Sequence, residues 1–313
     1  PPAFFLGLRL SAAIVRVAMN SEPIIAGIAA LKSIAEVLST PPIAEPADPV
    51  PARGGALEVR NLVFSYGDGP RVLDGMSATF EPGTLTALVG SSGSGKSTVA
   101  RLLARFHDPV EGSVLLGGDD LRDIAVRDVH RSVSVVFQDP QLFTLPLREN
   151  IRLARRDATD DEIMAAAKLA NLDAVIAALP KGLDSVVNVD VTFSGGEAQR
   201  VAIARSIVTD APVLIFDEAT AYADPASEAL IQSAIERLAR SRTVIVIAHR
   251  LSTIRNADRI LVLDGGAVAE AGTHDELLAR GGRYRELWRA FALDDEPSAP
   301  RGTEADDEKA GNR

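Results

Sequence analysis

Nine residues, Gly90-Ser91-Ser92-Gly93-Ser94-Gly95-Lys96-Ser97-Thr98, combine glycines, hydroxyls and one lysine at the spacing of a phosphate-binding loop. Glycine lets the backbone curl so that several N–H groups face one point, where a β-carbon would intrude. Lys96 has the reach for β- and γ-phosphates, and the Ser97 hydroxyl can ligate Mg²⁺. A flexible Gly/Ser linker would have no reason to carry Gly-Lys-Ser-Thr between a strand and a helix. Farther along, Asp217 and Glu218 end the apolar run Val213-Leu214-Ile215-Phe216. A carboxylate at the C-terminal end of a parallel strand lies at the ligand crevice. There Asp217 can hold Mg²⁺ through water, and Glu218 can orient or deprotonate an attacking water. Together the two motifs imply a site for a nucleoside triphosphate and Mg²⁺.

The loop needs a strand before it and a helix after it, and the neighbouring residues supply both. Leu85–Val89 is apolar and β-prone, and Val99, Leu102, Leu103 and Phe106 follow at helical spacing. The helix start adds partial positive charge behind the glycines. Leu57–Phe64 and Val72–Phe80 read as strands joined by the turn Gly67-Asp68-Gly69-Pro70, and Ser113–Leu116 reads as a short strand. Ser132–Gln138 reads as a buried strand. Leu142 to Asp210 is mainly helical, with capping boxes at Thr159/Glu162 and Ser194/Glu197, the second followed by Val201, Ala204 and Ile207 on one face. The strands Val213–Phe216 and Val244–Ile247 flank a helix from Ala226 to about Arg240. Leu261–Leu263 and a third capping box, Thr273/Glu276, complete the folded part. Short apolar strands alternating with helices predict an α/β fold with a largely parallel sheet covered on both faces.

Between the loop and the acid motif, Ser194-Gly195-Gly196-Glu197-Ala198-Gln199-Arg200 resembles the signature of ATP-binding cassette (ABC) ATPases. Other elements of that family occur in order: Tyr66, where the family stacks an aromatic ring on adenine; Gln138 of the Q-loop; Asp224 of the D-loop; His249 of the switch. The resemblance covers about residues 56–293. It implies a P-loop NTPase cassette, with a RecA-like core, an antiparallel β-subdomain and a helical signature subdomain at about 139–210. It also implies that one chain holds only half of each site. Ser194, Gly195 and Gly196 would face the γ-phosphate of ATP bound by a second ABC subunit, identical or different, paired head to tail.

The residues have their own readings beside the family's. Tyr66 is either an ordinary strand aromatic or a base-stacking ring. Gln138 can bond Mg²⁺ or water while remaining neutral. His249 ends an apolar strand, so it is either a satisfied core histidine or a contact to the γ-phosphate that holds the catalytic water. Ser194 is explained by its capping box, and a phosphate contact is compatible with that role. His107, His130 and His274 have no placement that suggests chemistry. The expected site is therefore Lys96, Gln138, Glu218 and His249 for catalysis; Tyr66, Gly90 to Thr98, Gln138, Asp217, Ser194, Gly195, Gly196 and Asp224 for nucleotide; and Ser97, Gln138 and Asp217 for Mg²⁺. The sequence departs from the family at Phe193 and Glu197 in the signature and at Ala221 and Tyr222 in the D-loop. It departs again at Val187-Asn188-Val189-Asp190-Val191, where exporters carry a glycine-rich segment with a glutamate. None of these removes a catalytic group.

The 313 residues suffice for one large domain or two smaller ones, with 46% hydrophobic and 24% charged residues. No cysteine is present, which excludes disulfides and cysteine-ligated metals. The net charge is −10, with no basic footprint for nucleic acid. The acids of residues 294–313 (Asp294, Asp295, Glu296, Glu304, Asp306, Asp307, Glu308) predict a disordered tail. Ile24, Ile28, Leu31, Ile34, Ala35 and Leu38 fall at helical spacing, and two readings stand: a surface helix on the following domain, or the cytosolic end of a membrane helix. The run before it is broken by Arg9 and Arg16, short of the ~20 apolar residues of a spanning helix. The chain starts at Pro1, which reads as processing or as a fragment. The domain plan is then a helical remnant of a transmembrane domain at 1–40, a proline-stiffened linker at 41–55, the cassette at 56–293 and the tail. With the resemblance, this implies the ATP-binding half of an exporter-type transporter subunit on the cytoplasmic face of the plasma membrane. Signature and D-loop residues look similar to exporter-fold proteins of iron–siderophore traffic. The alternatives are a stand-alone importer ATPase, which normally lacks such an apolar prefix, and a soluble ABC ATPase, which would carry a coiled-coil insertion or a second cassette.

Overall fold

The structure, a computed structural model, describes residues 23, 25–217, 225–248 and 251–295. It divides into two compact units, Pro1–Ala44 and Glu45–Arg313. In the first, helix α1 (25–39) carries Ile25, Ile28, Leu31, Ile34 and Leu38, all exposed. Among the described residues no helix is long and apolar enough to cross a membrane.

The second unit contains two sheets. Strands β1 (Leu57–Ser65), β2 (Arg71–Phe80), β4 (Glu111–Leu116) and β5 (Asp119–Asp120) form an antiparallel sheet in the order β2-β1-β4-β5. The larger sheet has the order β10-β9-β3-β8-β7-β6. In it β3 (Leu85–Gly90), β6 (Val133–Val136), β7 (Val213–Asp217), β8 (Thr243–Ile247) and β9 (Arg259–Asp264) run parallel, and β10 (Ala267–Gly272) pairs antiparallel to β9. Its central strands are mostly apolar because both faces are covered. Leu214, Phe216, Val244, Val246, Ile260 and Val262 enter one core. Their alternates Val213, Ile215, Ile245, Ile247, Leu261 and Leu263 enter a second core shared with the antiparallel sheet.

Helices α2 (Lys96–Leu103) and α3 (Val126–Ser132) contribute Val99, Leu103 and Val129 to that second core. The first core takes α4 (Leu147–Ile151), α5 (Asp160–Leu169), α6 (Asp173–Ala178), α7 (Gly195–Val208) and α8 (Pro225–Ala239). Helices α9 (Leu251–Arg255), α10 (His274–Arg280) and α11 (Arg283–Asp295) complete the chain. All three expected capping boxes form, at Thr159, Ser194 and Thr273.

Two elements differ from the sequence reading. The stretch Ser132–Gln138 is not a buried strand throughout. Ser132 closes α3, β6 spans four residues at the sheet edge, and Phe137 and Gln138 are exposed. An edge strand has a neighbour on one side only, so its apolar run signals less burial than the same run in β3. Helix α7 is buried on every side rather than along the Val201/Ala204/Ile207 face, since Gln199, Arg200, Ala202 and Ile203 are buried too. It packs at once against α4, α5, α8 and β6, which leaves no solvent face to read as a period.

Candidate nucleotide site

Parallel pairing brings the strand ends to one edge. Leu88 lies level with Ile247, Ile247 with Asp217, and Val136 with Phe216. The crevice therefore opens where β3 leaves the sheet into the glycine loop. Gly90 has no room for a side chain: a β-carbon there would stand 2.4 Å from the Leu263 carbonyl oxygen and 2.6 Å from Ser94 Oγ. Gly95 adopts φ 101° and would place a β-carbon 2.7 Å from Leu73 Cδ2, so both conformation and space demand glycine. The loop turns directly into α2, whose first turn carries Lys96, Ser97 and Thr98.

The Lys96 ammonium donates to the carbonyl oxygens of Gly90 at 2.9 Å and Ser91 at 3.0 Å, arching back across the loop. Beside it, Val72, Ser92, Gly93, Ser97 and Thr98 line a hollow of about 200 Å³. Ser94 Oγ is buried in the same loop with no hydrogen-bond partner, a group an anion's oxygen would satisfy by accepting its hydrogen. On the other side Ser97 Oγ donates to Asp217 Oδ1 at 3.3 Å, joining positions 120 residues apart. Lysine, open hollow, hydroxyl and carboxylate thus occur in sequence around one mouth. Among the described residues no cluster of three His, Cys, Asp or Glu could hold a metal alone. A hydroxyl and one carboxylate suit Mg²⁺, which takes few protein ligands and fills its shell with water and phosphate.

Tyr66 follows β1 and is delivered to the loop by the antiparallel sheet. Its hydroxyl lies 3.2 Å from Thr98 Oγ1 and accepts from Arg101 Nη1 at 3.0 Å. The ring is held edge-on by Phe64 at 4.9 Å and His107 at 5.5 Å, and remains 39% exposed. Arg101 and His107 are therefore part of this corner, which the sequence reading missed. Arg101 stands three residues after Thr98, hence on its face of α2, and that spacing was the available signal. His130 packs on Phe106, while His274 Nδ1 lies 2.7 Å from the hydroxyl of buried Tyr284. Burial pushes the Tyr284 phenol well above its usual range.

Gln138 follows β6 at the same sheet edge and is exposed. Ser194 is the N-cap of α7: its Oγ accepts from the Glu197 N–H at 3.3 Å, and Glu197 Oε2 accepts from the Ser194 N–H at 2.8 Å. Ser194 and Gly195 are exposed, Gly196 is buried, and none of the three lines the hollow beside Lys96. Glu218, Asp224 and His249 lie outside the described residues, as do the D-loop departures Ala221 and Tyr222. The segment 187–191 forms a tight loop. Lys181 and the Val186 N–H hold the Asp190 carboxyl below the usual carboxylate range. Asn188 takes φ 61°, and Val189 is exposed at the tip.

A family model described as ABC transporter matches residues 73–221, from β2 through the glycine loop and signature to just beyond Asp217. The chain belongs to the ABC transporter ATP-binding domains. This family hydrolyses ATP, and the cassette is of the kind fused to exporter-type half-transporters. The Mycobactin import ATP-binding/permease protein IrtA of Mycolicibacterium thermoresistibile is 45% identical over 99% of this chain and 35% of its own length. The corresponding IrtB of Mycolicibacterium smegmatis is 47% identical over 74% of this chain and 40% of its own. Among solved structures, a bacterial Atm1-family ABC exporter with ATP bound superposes with TM-score 0.77 at 41% identity, over 88% of this chain and 48% of that one. The chain thus spans roughly a third to a half of the length of these ABC relatives.

Proposed function

We propose that this chain is the ATP-hydrolysing part of an ABC transporter subunit, coupling closure of a cassette pair to movement of a substrate across the plasma membrane from its cytoplasmic face. The observation that carries the reading is the Ser97–Asp217 contact beside the Lys96 loop, which joins the glycine loop to the acid motif. The glycine-loop N–H groups and Lys96 bind and orient the phosphates of ATP, and Tyr66 stacks on the base. Ser97, Asp217 and Gln138 would hold Mg²⁺, which supplies charge neutralisation to the β- and γ-phosphate oxygens. Glu218 accepts a proton from the attacking water, and His249 fixes the γ-phosphate against it. Asp224 belongs with the nucleotide-binding set.

Ser194, Gly195 and Gly196 do not line the hollow, and the first two are exposed at the helix start, which supports a head-to-tail pair in which this helix start completes the second subunit's site. Mycobactin-type cargo is the substrate class favoured by the likeness to the mycobactin import proteins IrtA and IrtB. The test is Glu218→Gln in the full chain. ATP binding persists, turnover falls at least roughly a hundredfold, and a closed pair accumulates with ATP, as read by light scattering. Unimpaired turnover overturns the assignment of Glu218.

A further inference from the structure

Tyr66 stands one residue past the end of β1, in a turn closed by the Gly69 N–H donating to its carbonyl oxygen at 3.0 Å. A side chain there has no cross-strand neighbour to fix its rotamer, so its own contacts must place the ring. Phe64 and His107 meet it edge-on, at interplanar angles of 87° and 90°. Ring contacts of this kind are less directional than hydrogen bonds. The directional contacts are at the hydroxyl, and both come from α2: Thr98 Oγ1 at 3.2 Å and the donor Arg101 Nη1 at 3.0 Å. With Arg101 donating to the phenol oxygen, the phenol's single hydrogen is left for Thr98. Among the described residues Arg101 makes no ion pair, and the phenol oxygen is the acceptor its guanidinium reaches. Thr98 is buried and also lines the hollow beside Lys96. The ring and the phosphate loop follow strands of different sheets, yet both are tied to one short helix.

We propose that Arg101 is a positioning residue for the nucleobase, clamping Tyr66 onto α2 so that the stacking ring stands at a fixed distance from the phosphate loop. The inference rests on the reading of Tyr66 as the stacking ring given above. Arg101 is exposed and does not line the hollow, so its part is played through the phenol. A base that meets a ring already set spends nothing on ordering it. Without the clamp the ring, 39% exposed, has rotamer freedom to lose on binding, and affinity for the base falls by that cost.

The experiment compares Arg101→Met, which keeps the stem and deletes the donors, with Tyr66→Phe, which keeps the ring and deletes the acceptor. Each full chain is titrated calorimetrically with ATP and with inorganic triphosphate, which has the phosphates and no base. Arg101→Met weakens ATP binding about fivefold and leaves triphosphate binding at the wild-type value. The same substitution in a Tyr66→Phe background adds nothing, because the bond is already gone. Equal losses for ATP and triphosphate would show Arg101 acting as a charge near the phosphates, and overturn the proposal. Wild-type ATP affinity in Arg101→Met, or a further loss in the Tyr66→Phe background, overturns it too. Tyr66→Ala runs alongside and is expected to weaken ATP binding at least about tenfold. If it does so while Arg101→Met binds ATP normally, only the clamp fails; if Tyr66→Ala itself binds ATP normally, the stacking reading fails and the clamp with it.

Discussion

The Lys96 ammonium rests on the carbonyl oxygens of Gly90 and Ser91, so the loop is held closed by the group proposed to bind phosphate. A carbonyl–ammonium bond is readily exchanged for an ammonium–phosphate one, because the acceptor gains full negative charge. Lys96→Ala removes both. It is expected to weaken ATP binding at least roughly tenfold, from charge-assisted bonds of about 1.5–3 kcal/mol, as measured by calorimetric titration. Unchanged affinity would refute the loop's role. The glycine positions were legible from sequence because their requirement is local: Gly95 is forced by its own φ and by a neighbouring side chain. Arg101 and His107 were not legible, since a surface arginine and a lone histidine acquire meaning only once Tyr66 is beside them.

At the level of elements, the start of α7 carries two demands on one residue. Ser194 caps the helix, and in the proposed pair it also meets a phosphate. Substitution separates the two. Ser194→Ala loses the cap and about 1 kcal/mol of stability. Ser194→Asp keeps a cap but sets a negative charge where an anion is expected, so the melting temperature holds while ATP turnover collapses. Turnover unaffected by Ser194→Asp would reduce Ser194 to a cap alone. The capping boxes were readable because they close within four residues. The burial of α7 on all sides was not, since it comes from four neighbours far apart in the chain.

At the scale of the whole molecule, the exposed start of the signature, Ser194 and Gly195, and the hollow beside Lys96 belong to different parts of one chain. A head-to-tail pair predicts complementation. A Lys96→Ala chain retains a good signature, and a Ser194→Arg chain retains a good loop. Mixed after separate purification, they are expected to recover up to about a quarter of wild-type turnover, because half the pairs are mixed and each has one intact site. No recovery in pairs shown by crosslinking to be mixed would exclude shared sites.

What the sequence determined by itself is chemistry with a short range: the glycine loop, the Asp-Glu strand end, the three capping boxes, and the short continuous apolar runs of a parallel sheet. Each depends on residues a few positions apart, whose spacing is the interaction. The tertiary structure alone decided which distant groups meet. Ser97 reaches Asp217, Tyr66 reaches Thr98, and Thr253 reaches Gln232 because strand register and helix packing bring them within hydrogen-bond range. It also decided that β6 is an edge and α7 a centre, since burial depends on what covers an element as well as on its own residues.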